Sequence, residues 1–67
     1  MEKFLDKFCY IIIDSNGNRM YYLNAKVTSI TDTHISFNDT FKDGEPHTYR
    51  IADVVEIKLS NRGGYNE

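Results

Sequence analysis

Apolar residues in this chain fall into short runs separated by polar turns, and the spacing within each run sets the expected elements. Phe8 to Asp14 carries aromatic and β-branched residues with no polar break, the mark of a strand covered on both faces. One face would meet the interior and the other an N-terminal helix or a partner. Asn16-Gly17 follows, a strong hairpin signal because both central positions of a type I′ turn need positive φ. From Arg19 to about Thr31, Tyr21, Leu23, Ala25 and Val27 alternate with Tyr22, Asn24, Lys26 and Thr28, the two-residue period of a half-buried strand. Ile30 stands three places after Val27, so the parity shifts and predicts a bulge or bend near Thr28-Ser29.

Thr31-Asp-Thr33 reads as a tight turn, and His34 to Asn38 alternates again with Ile35 and Phe37 inward. Residues 39–46 form the longest expected loop, with a turn at Asp43-Gly44 and with Pro46, which has no N–H to pair. Thr48 to Leu59 is then a strand, a corner at Ala52-Asp53-Val54 and a second strand, with Tyr49, Ile51, Val54, Val55, Ile57 and Leu59 inward. At the N-terminus, Met1, Phe4, Leu5 and Phe8 recur at helical spacing and predict a two-turn helix docked on the sheet; the competing reading starts the first strand at Lys3. The pattern predicts a mainly β fold, a five-stranded small β-barrel over residues 1–60, since closure removes exposed edges. A polar, glycine-rich tail over residues 61–67 is expected to be flexible or ordered only by a partner.

Composition narrows the function classes. A chain of 67 residues buries about 60% of its unfolded surface, for a net stability of roughly 3–5 kcal/mol, so help from a partner or from self-association is expected. Net charge is −2, with eight Lys and Arg scattered singly among ten acids, which argues against a broad phosphate-binding surface. The lone Cys9 lies in the apolar run and forms no intramolecular disulfide. No leader-like or membrane-spanning run is present, and the expectation is a cytoplasmic protein with no membrane contact.

No nucleophile–base motif stands out, and the expectation is a non-enzymatic chain without cofactor. His34, His47, Asp32, Asp39, Asp43 and Glu45 lack the spacing of a zinc or calcium site and read as solvated loop residues. The aromatics are more informative. Tyr21 and Tyr22 are neighbours on a strand, so their rings point to opposite faces; parity puts Tyr22 outside, as a binding residue or as a cover for the N-terminal helix. Arg50 and Lys58 are outward on the strands flanking the corner, either in cross-strand charge pairs or as a cationic platform with Arg19 and Lys26.

Val27-x-x-Ile30, the polar turn, Ile35-x-Phe37, the loop and Tyr49-x-Ile51-x-x-Val54-x-x-Ile57 together resemble Src-homology-3-like and Sm-like small barrels. Asn16-Gly17, Asp32 and Tyr49-Arg50, after an amphipathic N-terminus, look like the bacterial Sm-like RNA chaperones over about residues 4–60. That resemblance implies ring assembly and uridine binding, with Tyr49 and Arg50 as RNA contacts. Ile51 stands where that family carries a histidine, and Asn24-Ala25-Lys26 where its second strand carries a glycine.

The leading expectation is an interaction module for a protein partner, through exposed aromatics and an open strand edge, of a size and acidity that suit a phage or mobile-element accessory or inhibitor protein. The alternatives are single-stranded RNA or DNA binding through tyrosines and Arg50, and a homo-oligomer whose strands pair across subunits.

Overall fold

A computed structural model describes residues 1–60; the predicted tail, 61–67, lies outside the described residues. Five strands, β1 (Phe8–Ser15), β2 (Asn18–Ile30), β3 (His34–Asp39), β4 (Glu45–Arg50) and β5 (Val54–Leu59), form one antiparallel sheet in the order β4-β3-β2-β1-β5. The hairpin turn is as expected: Ser15 pairs with Asn18, and Asn16 (φ 54°) and Gly17 (φ 81°) take the positive φ values that a two-residue turn needs. Thr31–Thr33 closes the next turn, where the Thr31 N–H donates to the His34 carbonyl at 2.9 Å. β4 and β5 are joined by one 3-10 turn over Ile51–Asp53, whose Ile51 N–H donates to the Thr33 carbonyl at 2.8 Å.

The sheet has no ladder joining β4 to β5 among the described residues, so it is not closed into a barrel. Yet Cys9, Ile11, Ile13, Val27, Ile35 and Phe37 are fully buried, and Tyr49, Ile51, Val54 and Ile57 pack onto the same cluster. Residues from both edges thus share one core, which requires the sheet to bend strongly. Two bulges in β2 supply that bend. One lies between Val27 and Ser29, where the parity shift predicted it. The other was not legible: Cys9 pairs with Ala25 but Ile11 with Tyr22, so Leu23 and Asn24 together face Tyr10.

That second bulge reverses the expected facing of the tyrosines. Tyr22 is buried in the core at 8% exposure, whereas Tyr21 is 56% and Leu23 45% exposed. The inward set of β2 is Met20, Tyr22, Ala25, Val27 and Ile30. A third bulge, between Ile12 and Ile13 on the β5 side, pairs Ile13 with Val54 and leaves Val55 half exposed; Leu59 is also exposed, so neither fills the inward place assigned from sequence.

Two boundaries also differ. The N-terminus makes one 3-10 turn, Glu2–Phe4, rather than a two-turn helix: Leu5 is extended, Asp6 has φ 64°, and Phe8 opens β1. Of that turn only Phe4 reaches the core. β4 starts at Glu45, so Pro46 lies within a strand, tolerated because β4 is an edge and needs no N–H on its free side. The preceding loop contracts to a 3-10 turn, Thr40–Lys42, capped by the Asp39 carboxylate accepting from the Phe41 N–H at 3.0 Å.

The reversed tyrosines give a direct test. Tyr22→Ala should cost about 3–5 kcal/mol, comparable to the whole stability of a chain this size, and leave it unfolded by circular dichroism. Tyr21→Ala should stay within about 0.5 kcal/mol of the parent in urea denaturation.

Candidate interaction face

Tyr22, Phe37, His47 and Tyr49 pack their rings together on the inner face between β2, β3 and β4. Tyr22 meets Phe37 edge-on at 4.9 Å and His47 at 5.0 Å, and His47 stacks on Tyr49 at 6.1 Å. The two phenols share a hydrogen bond of 2.7 Å, and the Tyr49 hydroxyl donates to Met20 Sδ at 3.4 Å. Tyr22 is therefore an internal residue with a satisfied hydroxyl rather than the exposed contact expected from parity. Burial, then the bond to Tyr49, raises its pKa far above the ordinary value of 10.0. Burial also pushes the Cys9 thiol up to about 11, so it stays protonated at neutral pH.

The opposite face is built on β1. Cys9, Ile11 and Ile13 point to the core, which turns Phe8, Tyr10, Ile12 and Asp14 to the outer side. Register places Lys26 beside Phe8, Lys58 beside Tyr10, Tyr21 and Glu56 on either side of Ile12, and Arg19 beside Asp14. The Lys26 ammonium lies 5.6 Å from the Phe8 ring centre and that of Lys58 5.2 Å from the Tyr10 ring centre. The result is a row of half-buried Phe8 and Tyr10 and buried Ile12, with the exposed Tyr21 and cations along it. The N-terminal turn does not cover this row, because Phe4 packs on the inner side.

Of the two readings of the basic residues, charge pairs or one platform, the single platform does not form. Lys26, Lys58 and Arg19 share the outer face, but Arg19 bonds Asp14 at 3.3 Å and Lys58 approaches Glu56 at 3.7 Å. Arg50 lies on the far edge strand, bonded to Asp53 at 3.2 Å. The pair that the Sm-like resemblance assigns to RNA also parts: Tyr49 packs against the core and Arg50 faces solvent. Tyr10, Tyr21 and Leu23 were not singled out as outer-face residues from the sequence. The unbroken apolar run of β1 was the signal for its two covered faces, but nothing marked the bulge that turns Tyr21 outward.

A shallow groove of about 340 Å³ lies where the N-terminal turn meets β5, lined by Lys3, Phe4, Ile57, Lys58 and Leu59. Among the described residues no three His, Cys, Asp or Glu side chains gather closely enough to hold a metal ion. His34 Nδ1 is 2.7 Å from the Thr33 hydroxyl, and His47 lies in the ring cluster. No described helix is long and apolar enough to cross a membrane.

Alkaline titration tests the internal phenol. A pKa raised on folding favours the neutral form, so this contribution is complete below pH 10 and is lost as pH rises above it; for Cys9 the loss runs from pH 9 through about 11. Urea midpoints of the parent should fall steeply above pH 10. Tyr22→Phe should make that fall shallower by up to about 1.4 kcal/mol per pH unit, the weight of one proton. No protein-family model, curated protein or solved structure matches this chain.

Proposed function

We propose that the chain is a non-enzymatic interaction module, a cytoplasmic accessory protein whose outer β1–β2 face docks a protein partner. The observation that supports this most is the exposure of Tyr21 and Leu23 beside the apolar row of β1, on the side away from the core. Apolar side chains grouped on the solvent face of a sheet add nothing to its core, and tyrosine supplies contact area at low entropic cost. Cations at the margin, each held by a ring or a carboxylate, make a polar rim for such a patch. The bend that brings both edges onto one core also supports a barrel-like curvature, with the outer face as its convex side.

Single-stranded nucleic acid is the second reading, supported by the two ammonium groups held beside the rings of Phe8 and Tyr10. The phage or mobile-element setting belongs to the first reading and rests on size and acidity alone.

Capture from a nuclease-treated native lysate separates the two. Tagged parent chain should retain a protein that Tyr21→Arg loses while keeping its fold by circular dichroism; the same set retained by both would sink the outer-face assignment. A labelled oligonucleotide titrated at low and high salt should show no binding under the first reading. Salt-sensitive binding lost in Lys26→Ala with Lys58→Ala would favour the second.

A further inference from the structure

We infer that β5 is a self-complementary edge that pairs antiparallel with β5 of a second copy, about a two-fold axis at Ile57. β5 is the last strand on its side of the sheet, so its outer backbone groups have no ladder partner in the described sheet. The Ser60 N–H donates to the Phe8 carbonyl at 2.9 Å, and antiparallel alternation then turns the N–H and C=O of Leu59 and Ile57 to the free side. Two exposed apolar side chains, Val55 (50%) and Leu59 (57%), lie along this strand with the exposed ions Glu56 and Lys58 between them.

The order Val55-Glu56-Ile57-Lys58-Leu59 reads apolar, acid, apolar, base, apolar. Centred on Ile57, an antiparallel copy sets Ile57 against Ile57 and Glu56 against Lys58, the latter twice by symmetry, and brings Leu59 toward Val55, the residue that bulges from the β1 ladder. Moving the axis by one residue sets Glu56 against Glu56 or Lys58 against Lys58, so charge disfavours both neighbouring registers. The other edge lacks this match, because Pro46 in β4 has no N–H. A second copy fits this edge better than an unrelated strand, since the complement to its pattern is the strand itself. The dimer leaves the Tyr21 face of β2 open and does not depend on the partner proposed for it.

Sedimentation equilibrium of the full chain at low salt, over micromolar to millimolar concentration, tests the pairing. The parent should dimerise, and Glu56→Lys or Lys58→Glu alone should raise the dissociation constant by about tenfold or more, since two attractive contacts become repulsive. The double exchange, Glu56→Lys with Lys58→Glu, should restore the parent value to within about threefold, and the two single variants mixed should form the mixed dimer. Circular dichroism of each variant confirms that the exposed substitutions leave the fold in place. A parent that stays monomeric throughout, single variants that dimerise as the parent does, or a double exchange that fails to restore association would each overturn the inference.

Discussion

A sheet without a second layer hides its apolar face only by bending around it, and the rest of this structure depends on that bend. Five strands and three short 3-10 turns bury Phe37, Ile11, Ile13 and Ile35 completely. The bend is placed in β2, the longest strand, by two points where an extra residue breaks the register. Each bulge shortens the path on one face and raises the local twist, which carries β3 and β4 round toward the same core that β1 and β5 cover. Phe4 then adds its ring from the N-terminal turn.

How much of this the sequence revealed depends on whether a bulge leaves a trace in the apolar pattern. At Thr28-Ser29 it does: the inward residues on either side are Val27 and Ile30, the residues between are polar, and the broken period is visible. At Leu23-Asn24 it does not, because Tyr21, Tyr22 and Leu23 are all apolar and an unbroken alternation of Tyr21, Leu23, Ala25 and Val27 fits equally well. The structure instead uses Met20, Tyr22, Ala25 and Val27. Tyr22 gains the phenol pair with Tyr49 and three ring neighbours, contacts between β2, β3 and β4 that no spacing along the chain could show. The N-terminal helix failed for a related reason: the spacing of Phe4 and Phe8 was helical, but Asp6 takes a positive φ, and its N–H donates to the Val27 carbonyl as the segment enters the sheet.

The candidate face was half legible. An unbroken apolar β1 predicted two covered faces, and the sheet explains one of them; the single N-terminal turn is too short and too far inward to explain the other. The outer row and its cations then form a face whose charges are largely answered within the chain, Arg19 by Asp14 and Lys58 by Glu56. Exposed pairs of this kind contribute little to stability, but they keep single-sign potential low. A surface so balanced is better suited to a partner matched in shape than to one recruited by long-range attraction.

Size ties these surfaces to the fold itself. With a net stability of roughly 3–5 kcal/mol expected for a domain this small, anything that binds only the folded state shifts the balance appreciably. A ligand at a hundred times its dissociation constant adds about 2.7 kcal/mol, comparable to the domain's own reserve. Such coupling would act through the elements that make the contacts: binding on the outer face would hold β1 and β2, and pairing at β5 would hold the strand that brings Ile57 and Val54 to the core. Among the described residues the last strand has no ladder partner on one side and carries two exposed apolar residues, so it gains from being covered. An edge whose charges match those of its own copy would protect that strand while limiting association to a closed pair, because each copy presents one such edge and uses it once.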